Sequence, residues 1–374
     1  MNTLLLASEF PPANYTGLAT YSYNIAKHLS KNNNVIVSKL PAYSTIERYA
    51  LGLQFVYNLK KRINELKKNE KIDLVYGIPF RPEFSAIGLY AKALNLPLVS
   101  HEVGSEIYSP HPLFILAKKI AYSISDQLIC GTNFQKEMML SQGAPREKVH
   151  VVLGGVDTQI FRPLYNERYE FRKSLKLEEK FVLLSLGRLI IRKGFDDAIK
   201  ALAFLEDIDE LILLIVGKGP EIQSLRKLVK VLSLDEKVIF LGRVSSNCIP
   251  QIYNIADLFI APFRMIGRDI EGFPLVVQEA QACGIPVIST NTPGPPELVE
   301  NGRTGFIVEM NSPRKIAEKV RVLYEDERIR RDMARSARKR AEKLLDWEVV
   351  ATKIENVLRV ALKQGINSSG TSDL

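Results

Sequence analysis

The chain has 374 residues, too many for one ordinary core and about right for two domains. Hydrophobic residues make up 46% and charged residues 25%, the mix of a soluble globular protein, and no apolar run reaches the roughly 18–20 residues that a membrane span needs. Lys plus Arg is 51 against 42 for Asp plus Glu, and the net charge of +9 favours anionic partners without choosing among nucleic acid, anionic lipid and phosphorylated small molecules.

The chain opens with Met1-Asn2-Thr3 and the short apolar run Leu4–Ser8. A secretory leader would need a basic start and a longer apolar stretch, so the run is read as a buried first strand. Further β-rich runs follow at Val35–Ser38, Asp73–Tyr76, Pro97–Ser100, Gln127–Cys130 and Val149–Leu153. Between them lie helical patterns such as Thr20–Leu29, Ile46–Lys68 and Asn133–Gln142. This alternation predicts a parallel sheet covered on both faces. The Ile46–Lys68 stretch sets Leu51, Leu53, Phe55, Val56, Leu59 and Ile63 beside five basic residues. It fits a helix that covers the sheet and shows its lysines to water, or one that lies on an anionic bilayer.

The polar stretch from Phe161 to Lys180 reads as a linker. Beyond it the alternation restarts, with strands expected at Phe181–Gly187, Leu211–Val216, Val238–Leu241, Leu258–Ala261, Val287–Ser289 and Gly305–Val308. From Arg328 to Lys343 eight basic residues stand against Asp332 and Glu342. No aromatics are interleaved to stack bases, so the run predicts a solvated helix and no nucleic-acid partner. A last helical pattern, Trp347–Leu362, comes after the second sheet is complete, and the tail from Gln364 is expected to fray. The three cysteines (Cys130, Cys248, Cys283) are far apart, which fits a reducing cytoplasm. The four histidines form no pair with metal-ligand spacing, so no metal site is expected.

Ligands of open α/β sheets bind beyond the carboxyl ends of the strands, and the chemistry is sought there. After the first strand, Glu9 to Ala19 carries Pro11, Pro12 and Gly17 into a helix, a rigid loop whose bare N–H groups suit a phosphate or simply make an ordinary connection. After the first strand of the second half, Gly187-Arg188-Leu189-Ile190-Ile191-Arg192-Lys193-Gly194 puts Arg188 and Lys193 on one connection, two cations suited to a diphosphate. Val216-Gly217-Lys218-Gly219-Pro220 is a tight turn but no full dinucleotide fingerprint, and no phosphate-binding Gly-x-x-x-x-Gly-Lys-Ser/Thr loop occurs, so a dehydrogenase and an ATPase are both disfavoured. The strongest local signal is Glu271-Gly272-Phe273-Pro274-Leu275-Val276-Val277-Gln278-Glu279-Ala280. Gly272 frees the backbone, Pro274 suits a first helical turn, and the N–H groups of Phe273, Leu275 and Val276 are left for a ligand. Glu271 and Glu279 are placed to accept hydrogen bonds from hydroxyls. The plainer alternative is that Glu271 caps the helix and Glu279 is merely exposed.

With these motifs in order, the chain resembles the retaining family-4 glycosyltransferases of the GT-B fold over nearly its whole length. The motifs are Pro11-Pro12 through Gly17-Leu18-Ala19-Thr20-Tyr21, Gly154-Gly155-Val156-Asp157, Gly187-Arg188 with Lys193-Gly194, the Gly217 turn, Gly242-Arg243-Val244, Ala256-Asp257-Leu258 and the Glu-x7-Glu element Glu271 to Glu279. The resemblance implies two doubly wound Rossmann-like domains with a cleft between them: residues 1–163 on the acceptor side, 164–346 binding the nucleotide sugar, and 347–374 crossing back to the first. It implies that Arg188 and Lys193 bind the donor diphosphate and that Gly17 approaches it from the other domain. Glu271 with the backbone of Gly272, Phe273, Pro274 and Leu275 would hold the donor sugar, Glu279 the ribose, and Arg243 and Val244 would lie against the base.

The implied reaction moves a sugar, from GDP-mannose or a UDP-sugar, to an acceptor hydroxyl on a lipid or glycan. It proceeds with retention, without a bound metal or other cofactor, while domain closure excludes water. Cytoplasmic residence, with peripheral contact at the inner membrane face, is the matching expectation. Gly154 stands where the family has Asn, and Thr16-Gly17 where it has two glycines. Pro293-Gly294-Pro295-Pro296-Glu297 stands for the family's Gly-Gly-x-Pro-Glu turn. Val103, in His101-Glu102-Val103-Gly104-Ser105-Glu106, takes the place of the family histidine. His101 is the candidate to replace it as a catalytic helper, or is a strand-end histidine bonded to backbone. The longer Arg264–Ile270 stretch resembles members with mannose donors and lipid acceptors. The competing functions are a non-catalytic nucleotide-sugar-binding partner subunit and a GT-B sugar-nucleotide epimerase.

Overall fold

The computed structural model describes residues 1–7, 10, 17–39, 57, 60, 61, 63–65, 68, 72–78, 82–103, 112–267 and 269–369. The chain divides into two compact units, Met1–Gly154 with Trp347–Leu374, and Gly155–Asp346.

The first unit is a six-stranded parallel sheet of β1 (Asn2–Ala7), β2 (Asn34–Lys39), β3 (Leu74–Ile78), β4 (Leu98–Glu102), β5 (Gln127–Cys130) and β6 (Val149–Val151), in the order β2-β1-β3-β4-β5-β6. Leu4, Leu5 and Leu6 are all fully buried, as an unbroken apolar strand must be when helices cover both faces. The final helix, Trp347–Ser369, belongs to this unit. Trp347, Val350, Ile354, Leu358 and Ala361 form its buried stripe at helical spacing. The stripe packs on the Gly17–Leu29 helix and along β3, β4 and β5. Trp347 meets Tyr21 edge-on with ring centroids 5.3 Å apart and stacks on His28 at 6.2 Å.

The second unit repeats the plan with β7 (Phe181–Leu186), β8 (Leu211–Val216), β9 (Val238–Gly242), β10 (Leu258–Ala261), β11 (Val287–Thr290) and β12 (Gly305–Val308), all parallel, in the order β12-β11-β10-β7-β8-β9. Strand order reverses between β7 and β10, the point at which ligands of open α/β sheets bind. The core is built from the apolar faces of these strands and of flanking helices such as Phe195–Leu202, where Phe195, Ala198, Ile199 and Leu202 are buried. Phe195, Ile199 and Leu202 each contribute roughly 1.5–3 kcal/mol on burial. All twelve strands expected from the apolar runs are present.

Three expectations are corrected. The stretch from Phe161 to Lys180 is no linker: it contains the helix Tyr165–Ser174. Arg168 and Arg172 of that helix both pair with Asp257, at 2.7 and 3.3 Å, and Arg168 also donates to the carbonyls of Asn254 and Ala256. The unit boundary lies after Gly154 and not after residue 163, because residues 156–161 are bound to the second unit. The Val156 N–H donates to the Leu345 carbonyl at 2.8 Å, and Arg338 holds the carbonyls of Thr158 and Phe161. The basic run is likewise not wholly a solvated face. Arg338 also grips the Ala282 carbonyl, and Arg340 those of Glu297 and Leu298. Among the described residues no helix is long and apolar enough to cross a membrane. Most of Ile46–Lys68, and the tail beyond Ser369, lie outside the described residues.

Candidate functional site

In the second unit the loops leaving β7 and β10 are pressed together at the reversal point. The β7 loop ends in a 3-10 turn, Ile191–Lys193, closed by Gly194 at φ +67°. A Cβ on Gly194 would fall 1.9 Å from the Pro262 carbonyl oxygen, so only glycine lets the two loops meet. The Arg264 N–H then donates to the Arg192 carbonyl at 2.8 Å. The Arg264 guanidinium pairs with Asp196 and Asp197, at 2.8 and 2.6 Å, at the start of the next helix.

This contact brings together two of the predicted site residues. Lys193 Nζ lies 2.6 Å from Glu271 Oε2 and 4.8 Å above the Phe263 ring. Arg192 bonds the same carboxylate oxygen, and its Nε lies 2.9 Å from Asp269 Oδ1. The Glu271 side chain is only 12% exposed. Burial alone would raise its pKa, but Lys193 and Arg192 together hold the carboxyl below the usual range. Glu271 therefore does not cap the following helix, which starts after Pro274 with no side-chain cap. The N–H groups of Gly272, Phe273, Leu275 and Val276 find no acceptor among the described residues, and Pro274 has none to satisfy. Gly294 backs directly onto the Glu271 and Gly272 carbonyls, where a Cβ would come within 2.6 Å, so the Pro293–Glu297 turn supports this segment from behind.

Glu279, about one turn into the Leu275–Ala282 helix, accepts a 2.7 Å hydrogen bond from the Tyr253 hydroxyl. Burial raises its pKa, opposed by Tyr253 and by the charge of Lys193. Glu279 is therefore partnered and close enough to feel Lys193, not merely exposed. Arg188 is exposed on the β7 loop with no ion pair among the described residues. Exposed Arg243 and half-buried Val244 follow the end of β9, whose Gly242 carbonyl accepts the Gly217 N–H at 2.8 Å.

The remaining two predicted residues belong to the first unit. Gly17 opens the Gly17–Leu29 helix, while Glu9 and Pro11–Thr16 of the expected phosphate loop lie outside the described residues, as does Gly104-Ser105-Glu106. His101, at the end of β4, is fully buried. Its Nδ1 lies 2.6 Å from the Tyr76 hydroxyl and its Nε2 3.4 Å from the Tyr21 hydroxyl, so the ring is bonded to two side chains and not to backbone. Burial lowers its pKa to about 3. Because this value lies below that of the unfolded chain, the unfolded state binds more protons between about pH 6.5 and 3, and acid costs stability there. From about pH 7 to about pH 5 this group alone is expected to remove about 2 kcal/mol. Urea unfolding at the two pH values should show a loss smaller by that amount in His101→Asn; an unchanged loss would show that the histidine takes up its proton in the folded state.

Sequence reading passed over Arg192, Tyr253, Arg264 and Asp269. Only Arg192 carried a signal, as a second cation beside Lys193. The side-chain partners of the other three lie at least 23 residues away.

Two family profiles match the chain: Glycosyltransferase Family 4 over residues 15–160 and Glycosyl transferases group 1 over residues 166–340. Among curated relatives, the GDP-mannose-dependent alpha-(1-6)-phosphatidylinositol monomannoside mannosyltransferase of Mycobacterium tuberculosis is 33% identical over 61% of this chain and 60% of its own length. The chain thus aligns with less than two thirds of that relative. The Mycolicibacterium smegmatis protein of the same description is 30% identical over 69% of this chain and 68% of its own. Among solved structures, Anabaena HepE in complex with UDP superposes with a TM-score of 0.80 at 22% identity, covering 96% of this chain and all of that one. A glycosyltransferase from Rickettsia africae also gives 0.80, at 21% identity over 97% and 99%.

Proposed function

The chain belongs to the group 1 glycosyl transferases, and from that membership we propose that it moves a sugar from a nucleoside-diphosphate sugar to an acceptor hydroxyl, with retention at the anomeric carbon. The observation that carries this is the Lys193–Glu271 pair beside the N–H groups of Gly272, Phe273, Leu275 and Val276, unpartnered among the described residues, at the reversal point of the second sheet. Cations and backbone donors there suit a diphosphate, and a carboxylate suits the hydroxyls of a sugar.

In this scheme Arg188 and Lys193 hold the diphosphate and offset the charge that grows on it as the glycosidic bond to phosphate breaks. These two side chains, and no bound metal, supply the stabilising charge. The acceptor oxygen forms its bond on the same face, and its proton passes to the departing diphosphate. Glu271 and the backbone of Gly272 to Leu275 orient the sugar, Glu279 the ribose, and Arg243 and Val244 the base. The names of the mycobacterial relatives make GDP-mannose the donor to test first and an inositol phospholipid the acceptor to test first.

Thermal unfolding against GDP-, UDP- and ADP-sugars, with NAD and ATP as controls, tests the donor. A ligand of the folded state present at about a hundredfold over its Kd adds about 2.7 kcal/mol. One nucleotide family is expected to raise Tm, and Glu279→Ala to abolish most of that rise. No rise with any nucleotide sugar would overturn the proposal.

A further inference from the structure

The site as it stands contains a conflict. Lys193 is the cation assigned to the diphosphate, yet its ammonium is bonded to Glu271 at 2.6 Å and its charge is largely cancelled there. Its ammonium has three donors, but for its full charge to serve a diphosphate Lys193 must turn away from Glu271. A carboxylate so nearly buried is strongly disfavoured without a cation. Arg192 occupies the same carboxylate oxygen and resolves the conflict.

Arg192 is also fixed independently of Lys193. Its Nε lies 2.9 Å from Asp269, within ion-pair range though without hydrogen-bond geometry, its own carbonyl receives the Arg264 N–H at 2.8 Å, and Arg264 is anchored to Asp196 and Asp197. Lys193, by contrast, has one ion-pair partner among the described residues, Glu271, with the face of the Phe263 ring beside it, so a single charged contact has to break for it to turn towards a ligand.

We propose that Arg192 is a positioning residue that retains the Glu271 carboxylate when Lys193 turns to the donor diphosphate, so that Lys193 is a cation released by ligand binding. The inference rests on the nucleotide-sugar reading of the site. It assigns Glu271 two successive duties: counter-ion to Lys193 before the donor arrives, and sugar ligand held by Arg192 afterwards.

Binding of GDP and of UDP, which carry the diphosphate without the sugar, isolates the exchange from the sugar contacts of Glu271. Calorimetric titration of the wild type, R192A, R192K and R192A/E271Q is the test. R192A is expected to bind the preferred nucleoside diphosphate about tenfold more weakly, because Lys193 can then leave only by stranding a buried charge. R192K, which keeps a cation, should lose less. R192A/E271Q removes the stranded charge and should return to within about threefold of the wild type. A merely structural tether would leave the double variant as weak as R192A, and that result overturns the inference, as does R192A binding like the wild type. If R192A folds poorly, R192Q and R192Q/E271Q give the same comparison. If the wild type binds neither GDP nor UDP, the nucleotide-sugar reading fails and the inference falls with it. Binding by the wild type with no change in R192A overturns the inference alone.

Discussion

Lys193→Ala is expected to lower the rate of sugar transfer by about a hundred- to a thousandfold, the usual cost of removing one donor aimed at developing charge in a dry site. Lys193 is mostly buried, beside Phe263 and Glu271, where little water competes for its ammonium. Arg188→Ala should act in the same direction. The rate falls less, because Arg188 is exposed and partly screened. Lys193→Ala has a second consequence. Glu271 keeps only Arg192, so its carboxyl pKa rises and the acidic limb of kcat/KM moves to higher pH. Steady-state rates across pH, with the donor that raises Tm, measure both effects. Full activity in both Ala variants would remove Arg188 and Lys193 from the mechanism.

Gly194→Ala is expected to destabilise the second unit by about 2–4 kcal/mol. About 1 kcal/mol comes from forcing a side chain into the left-handed region, and the rest from a Cβ driven against the Pro262 carbonyl, a forced overlap of the kind that costs about 1–3 kcal/mol. Gly242→Ala is the control. It has a similar φ, +71°, but nothing within 4 Å of the added carbon, so only the first cost of about 1 kcal/mol applies. Urea unfolding of both variants separates the two contributions. Equal losses would mean that the β7 and β10 loops can part freely at Gly194, and the tight junction holding Lys193 near Glu271 would lose its basis. Because that junction carries the site, Gly194→Ala should also weaken nucleotide binding, and Gly242→Ala should do so much less.

The two sheets were legible from sequence because a parallel strand covered on both faces must be apolar at every position. Runs such as Leu211–Val216 therefore stand out without reference to anything distant. The last helix was legible as a helix from its own stripe, its return to the first unit was expected only from the family resemblance, and its place along β3, β4 and β5 came from the tertiary structure. Tyr165–Ser174 was missed for the opposite reason. It is mostly charged, and what holds it is Asp257, more than eighty residues on.

The same division runs through the candidate site. Sequence by itself determined the residue types and their order: the cations Arg188 and Lys193 after one strand, the carboxylates Glu271 and Glu279 eight positions apart on another connection, and glycines where backbone must come close. Local chemistry sets these features, through the reach of a side chain, the period of a helix and the space left by a missing Cβ. Only the tertiary structure decided which charges meet. Arg192 and Glu271 are 79 residues apart, and Tyr253 and Glu279 belong to different helices. His101 finds its partners in Tyr76, 25 residues before it, and Tyr21, 80 before it, and not in the backbone of its own strand. Pairing of charges depends on the sheet order that lays β7 against β10, and folding pays for each buried charge only where that order supplies a partner.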